Sequence, residues 1–331
     1  MTRFGLLILF LISLFAANLF FGAIHIHAPE VVDALLNRSD NEALRFIVVN
    51  NRLPQAVTAM LGGAGLAVTG LLLQTAFHNP LAGPSILGIS SGASLGVALV
   101  MLFLGGSLSL GSLSLGGSAA TVIGALVGSL LIMSVLISLS SIVKNNLMLL
   151  ITGIMIGYLT SSIVTLLSSV STAQGVQNYV MWGMGTFGDV STERLPWFSL
   201  FTVLGLLMSL LLAKPLNILL LGDNYATNLG VNVKVVRNML LLATGVLTAI
   251  VTAYCGPVAF VGMAVPHISR MIFKTDNHWV LIPATMLIGA ILCLGCNVAS
   301  TIPENTVIPI NALTPVVGVP VILYVILHAR R

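Results

Sequence analysis

Lys214-Pro-Leu-Asn-Ile-Leu-Leu-Leu-Gly-Asp-Asn-Tyr-Ala-Thr-Asn-Leu-Gly-Val-Asn-Val-Lys-Val-Val-Arg237 is a polar break between two long apolar runs. Backbone amides cannot stay unpaired in lipid, so a connection this long and hydrophilic has to face water. Asp223 suits a helix N-cap and Gly230 a C′ stop, which predicts one short stiff helix over Asn224 to Leu229. A chain that keeps such a segment has something outside the membrane to touch, and the stretch reads as a docking surface. An ordinary tether between two spanning helices is the plainer alternative.

Working outward, the apolar runs define the class. Of 331 residues 57% are apolar and 7% charged, and the mean hydropathy is +1.08. Soluble domains carry roughly 25% charged residues, so an integral membrane protein is expected and a soluble domain of its own is excluded. At about 20 residues per spanning helix the runs place spans near 4–23, 54–77, 86–104, 119–141, 147–169, 196–213, 238–255, 258–272, 279–300 and 307–328. The expected fold is all-α: one transmembrane domain over 1–331, a polytopic bundle of about ten helices with a short, broken eighth. Residues 1–23 exceed the apolar core of a secretory signal and show no clear cleavage site, so they read as the first span.

Charge orients the bundle. One set of connections and tails holds Arg3, Lys144, Lys214, Lys234, Arg237, Arg270, Lys274, Arg330 and Arg331 against Asp223 and Asp276. The other holds Glu30, Asp33, Asp40, Glu42, Asp189, Glu193 and Glu304 against Arg38, Arg45, Arg52 and Arg194. Lys and Arg collect on cytoplasmic loops, so both termini and the 214–237 break are expected inside. Nucleic acid is not implied by the small net charge of +4.

Three further stretches carry signals. Gln74-Thr-Ala-Phe-His-Asn-Pro-Leu-Ala-Gly-Pro-Ser-Ile-Leu-Gly-Ile-Ser-Ser-Gly92 is expected to be a sharp non-helical re-entry, because Pro80 and Pro84 disfavour helix before them. Such backbone is tolerated at membrane depth only inside protein or beside a wet cavity, so it is a candidate pathway border. In the eighth segment, Gly256-Pro257 and Val261-Gly262 echo Gly83-Pro84 and Leu87-Gly88 from the opposite side, as an inverted repeat would. The outer run 105–118, rich in Gly, Ser and Leu, reads as a flexible linker, and the outer 24–51 as a loop with a short helix after Pro29.

Metal and redox chemistry find little support. His25 and His27 lack a third ligand nearby and read as polar loop residues. Cys293 and Cys296 sit in an apolar span with no charged or His neighbour to lower a thiol pKa, so no metal site or disulfide is expected. No phosphate loop, metalloprotease motif or nucleophile elbow is present, and the chain reads as no enzyme. The spans also lack the Asp, Glu or His relay that ion-coupled carriers commonly use. Coupling to a separate ATPase is therefore expected; a secondary transporter or passive channel working alone is the competing class.

Here the residues carry a resemblance. Arg52-Leu-Pro, Gln74, Asn79-Pro-Leu-Ala, Leu87-Gly-Ile-Ser-Ser-Gly-Ala93, Trp182-Gly-Met-Gly, Leu216-Asn, Leu221-Gly, Ala226, Leu229-Gly230, Gly256-Pro, Phe260-Val-Gly, Pro266-His-Ile-Ser-Arg270 and Gly318-Val-Pro320 occur in order along nearly the whole chain. Together they resemble the FecCD-type permeases, type II ABC importers of ferric siderophores, haem and vitamin B12. The resemblance implies a multi-pass inner-membrane subunit pairing with a second copy as a homodimer, served by two cytoplasmic ATPases and one substrate-binding protein. ATP and Mg would sit in the ATPases, with no cofactor on this chain. The cargo it implies is a ferric chelate, siderophore or haem, with cobalamin as the alternative. By the family pattern, Leu221, Gly222, Asp223, Asn224, Ala226, Leu229 and Gly230 contact the ATPase, so a bulky charge at Ala226 or Gly230 is expected to abolish ATP-dependent uptake with membrane insertion intact. Asn79, Pro80 and Leu81, with Asn145 and Asn146, would form the cytoplasmic constriction. Arg52 would meet the binding protein. Pro266, His267 and Arg270 match a motif at the inner end of the eighth helix, where an anchor to lipid phosphate or the ATPase is expected. The chain also departs from the pattern. The family usually has Arg where Gln55 stands, Asp and Arg where Asn297 and Thr301 stand, and Glu-Leu-Pro-x-Gly where Val307-Ile-Pro-Ile-Asn311 stands.

Overall fold

The computed structural model describes residues 2–22, 24–110, 113–143, 146–302 and 307–328. Among them the chain forms fourteen helices, joined by coil and one short hairpin: α1 (Thr2–Phe20), α2 (Ala28–Leu35), α3 (Glu42–Ala76), α4 (Ile89–Phe103), α5 (Gly117–Ile142), α6 (Asn146–Val170), α7 (Ala173–Gly183), α8 (Leu195–Leu211), α9 (Ala213–Leu219), α10 (Asp223–Asn228), α11 (Val233–Cys255), α12 (Val261–Phe273), α13 (His278–Ser300) and α14 (Ile310–His328). Six are long and apolar enough to cross a membrane, and α8 with α9, bent by 47°, would make a seventh. The shorter α4, α12 and α14 fall where three more spans are predicted. The surplus over ten comes from α2, α7, α9 and α10, all too short to span.

α3 is the axis. Every residue from Gly62 to Ala76 is buried, and a helix apolar all round belongs inside a bundle. It packs on α11, α12 and α13, and small residues set how close they come. A Cβ on Gly63 would run into Cys293 and the Gly289 carbonyl, and one on Gly70 into the backbone of Gly262. A second glycine seam, Gly92 and Gly96 against Gly124 and Gly128, joins α4 to α5. With no hydrophobic drive between helices in lipid, such close packing is what holds neighbours together. α1, α5, α6 and α8 turn apolar faces outward, for example Phe10, Leu131, Leu159 and Leu204.

The first break packs on the first turn of α12, just past the second break. α4 starts after Gly88 at φ 76 and α12 after Phe260 at φ 66, both left-handed residues closing a non-helical approach. Gly83 lies against Met263 and Gly262 against Pro84. Leu87 and Gly88 also sit beside Gly153, well inside α6, so the 82–88 segment re-enters the bundle as its prolines suggest. The expected flexible linker instead holds a hairpin, Ser107–Leu110 antiparallel to Leu113–Gly116.

Polar connections gather at two ends. At one, Arg3 bonds the Ile272 carbonyl, Phe4 packs on Phe273, Arg270 meets Gln74, and His278 meets Asn217. At the other, Thr186 N–H bonds the Cys255 carbonyl, Ile310 N–H bonds the Gly185 carbonyl, and Arg194 bonds Ser118. Among the described residues, Arg3 and Arg270 of the first charge group stand at the one end and Arg194 of the second at the other.

Candidate functional site

The first end carries an arm and a turn. In the arm, α9 buries Ala213, Leu216 and Leu219, three residues apart on one face. Gly222 at φ 96 then swings the chain into α10. Gly222, rather than Asp223, is the N-cap. The Asp223 carboxylate pairs at 3.1 Å with Arg237 of α11, which fixes α10 to the next span. α10 stops as expected: Gly230 takes φ 82, its N–H bonds the Thr227 carbonyl, and Val231 N–H bonds that of Ala226. That pair of bonds is a Schellman cap.

Helical phase decides what this arm offers. Ala226 is wholly buried, so a charge inserted there would act on the arm's own fold rather than on a partner. Exposed on the arm are Leu221, just before the Gly222 bend, and Tyr225 and Leu229, one turn apart on α10 and its C-cap, at 59%, 67% and 61%. Three large apolar side chains exposed on a polar connection are a candidate contact surface. Tyr225 is the residue that sequence motifs missed; its i, i+4 spacing to Leu229 was the available signal.

In the turn, α3 ends in a second Schellman cap. His78 N–H bonds the Thr75 carbonyl and Asn79 N–H bonds that of Gln74, with His78 at φ 48 where glycine is usual. The Asn79 Oδ1 accepts the Leu81 N–H at 2.9 Å, so its side chain stiffens the turn, and Pro80 and Leu81 project outward. Asn145, expected beside this turn, lies with Lys144 outside the described residues, as does the side chain of Asn146.

α12 holds the turn from within. Pro266 and His267 are buried, and the His267 ring Nε2 lies 2.8 Å from the Pro80 carbonyl, which only accepts, so Nε2 carries the proton and donates. Arg270, one helical turn on, donates to Gln74 Oε1 at 2.7 Å and lies 3.5 Å from Asp276. Both side chains reach into residues 74–80, and Arg270 also reaches the exposed Asp276. They share a face, as their i, i+3 spacing requires.

At the opposite end Arg52 is 5% exposed, and its guanidinium donates to the carbonyls of Leu19 and Phe20 at 2.9 Å and to that of Ile24. It satisfies the last carbonyls of α1, whose last turn has no basic residue of its own. This runs against the expectation that Arg52 meets a binding protein: the guanidinium is buried and turned onto the end of α1, where three of its five N–H donors are taken by carbonyls. The departures become intelligible there too. Gln55 donates to Asn297 Oδ1 at 3.0 Å, and Asn297 donates to Asn18 Oδ1 at 2.7 Å, an amide chain linking α3, α13 and α1. Asn311 accepts the Ala259 N–H at 3.2 Å, tying the break before α12 to the start of α14. Val307 is exposed and lines a cavity of about 810 Å³ with Trp182, Asp189, Arg194 and Tyr254.

Comparison with known proteins agrees with this architecture. The family model described as the FecCD transport family matches residues 6–328. The hemin transport system permease of Yersinia pestis is 36% identical over 333 residues, covering 100% of this chain and 96% of that protein. The vitamin B12 import system permease of Klebsiella pneumoniae is 33% identical over 280 residues, 84% of this chain and 82% of its own length. A solved inward-facing structure assigned to a metal-chelate type of ABC transporter superposes with a TM-score of 0.85 at 29% identity, covering 99% of this chain and 98% of the other.

Proposed function

The chain belongs to the FecCD transport family and is the permease of an ABC importer, and from that premise we propose that it passes a ferric chelate, haem or a siderophore, inward across the cytoplasmic membrane. The functional unit in this reading is a homodimer of ten-span subunits with termini in the cytoplasm, two ATPases below and one binding protein above. Transport rather than chemistry is its task, and ATP and Mg belong to the ATPases.

The observation that carries the reading is the joining, at one end of the bundle, of an exposed apolar surface on a capped arm to a stiffened turn pinned by α12. Leu221, Tyr225 and Leu229 would sit in the ATPase cleft, Gly222 and Gly230 setting the arm's bends. Asn79, Pro80 and Leu81 would form the constriction, Leu81 closing it by apolar contact. ATP-driven movement of the arm would then reach the turn through packed helices.

The test is uptake of labelled hemin, a labelled ferric siderophore and labelled cobalamin by cells lacking this chain and by cells with it restored. Loss and recovery of an iron chelate is the expected result. Loss of cobalamin uptake instead supports the second reading, favoured by the 33% identity to vitamin B12 permeases. Unchanged uptake of all three overturns both.

A further inference from the structure

Two histidines join the arm to the turn directly. The His78 ring Nε2 lies 3.1 Å from the carbonyl oxygen of Leu219, the last residue of α9. A carbonyl only accepts, so Nε2 carries the proton and donates. The partners are 141 residues apart in sequence, one on the turn and one on the arm.

The second connection has a direction that can be worked out. Asn217 Oδ1 lies 2.8 Å from both the backbone N–H and the ring Nδ1 of His278. The backbone N–H can only donate, so Asn217 presents its oxygen, and Nδ1 must also donate to it. Nε2 of the neutral ring is then an acceptor, and the Thr75 hydroxyl lies 2.8 Å from it and 3.1 Å from the Leu71 carbonyl, its single proton shared between the two. Asn217 closes the chain by donating to Asn277 Oδ1 at 2.9 Å. The last turn of α3, the start of α13 and the arm therefore share one hydrogen-bonded path.

His78 is conspicuous in this path. It occupies the C′ position of a Schellman cap at φ 48, which glycine takes without a steric penalty. Its side chain is exposed, so burial does not explain the histidine; the bond to Leu219 does. We propose that His78 is a positioning residue for transport, a strut through which displacement of the arm is passed to the Asn79–Leu81 turn, with the Thr75–His278–Asn217 path as its buried counterpart. This rests on the importer reading above.

The experiment uses the permease with its ATPase and binding protein in liposomes, with Leu81→Cys as a reporter, the native cysteines being buried. The measurement is the rate of maleimide labelling at position 81 with and without ATP and vanadate, beside ATPase rate and melting temperature. His78→Gly relieves the turn and removes only the strut. It is expected to melt no lower than the parent and hydrolyse ATP within twofold of it, while the nucleotide-dependent change in labelling falls tenfold or more. His78→Gln, which keeps a donor, should recover part of that response. A His78→Gly response within twofold of the parent overturns the strut and leaves the importer reading intact. A parent complex with no nucleotide-dependent labelling overturns both.

Discussion

The sharpest consequence of the arm's geometry concerns Tyr225. An aromatic side chain of this size presents roughly 150–250 Å², and Tyr225 is 67% exposed, so about 130 Å² remains for a partner to cover. At about 25 cal/mol per Å² that area amounts to about 3 kcal/mol, an upper limit because association also costs side-chain freedom. Central aromatic anchors in interfaces lose about 2 kcal/mol or more on truncation. With about 1.4 kcal/mol per tenfold, Tyr225→Ala should weaken ATPase binding by about 30- to 100-fold. Titrating labelled ATPase onto the permease in nanodiscs reads this directly. Phe10→Ala, on the outward face of α1 and 54% exposed, should leave the affinity within about twofold. Ala226→Glu should differ in kind: the side chain is buried, so it should lower thermal stability before it alters affinity. An affinity for Tyr225→Ala within threefold of the parent, in a protein that melts normally, would refute the assignment of this surface to the ATPase.

Three other outcomes follow from named contacts. Arg52→Ala should cost about 1.5–3 kcal/mol through its lost charge-assisted bonds, seen as a lower melting temperature in detergent, while the folded fraction binds the substrate-binding protein within twofold of the parent. Asn297→Leu leaves the Gln55 amide N–H and the Asn18 Oδ1 without that partner and should destabilise by about 1–3 kcal/mol; a Gln55→Leu, Asn297→Leu double variant should cost less than the sum of the two singles, because the pair shares one bond. Gly70→Ala drives a methyl into the Gly262 backbone and should cost about 1–3 kcal/mol or more, read as loss of monodisperse protein on size exclusion, whereas Gly5→Ala, with open space around it, should be silent.

The sequence made much of this legible through period and punctuation. Apolar runs located the long helices, Pro80 and Pro84 marked the re-entry, and Gly230 marked the stop of α10. What escaped was set by where side chains point. Nothing in a linear motif says that helical phase turns Ala226 inward and Tyr225 outward, or that Arg52 folds back on the end of α1. α7 escaped because hydropathy sees only spans; its signal was Thr172, whose hydroxyl accepts the Gly175 N–H as an N-cap. The departures at 55 and 297 looked independent because 242 residues separate them, a distance only the fold closes.

That amide pair also bears on how such a chain changes over generations. An arginine at 55 and an aspartate at 297 would face each other here, with the pattern's second arginine at 301 one helical turn from that aspartate, and altering the aspartate alone leaves partly buried charge without its counterpart, a step worth about 3–5 kcal/mol in buried pairs. Single substitutions from the charged state to the neutral one thus cross a valley in fitness, and so do single reversions. Once Gln55, Asn297 and Thr301 are all in place, the lineage is held there. Positions 55, 297 and 301 should therefore be inherited as a unit, switching together or not at all wherever related chains are compared.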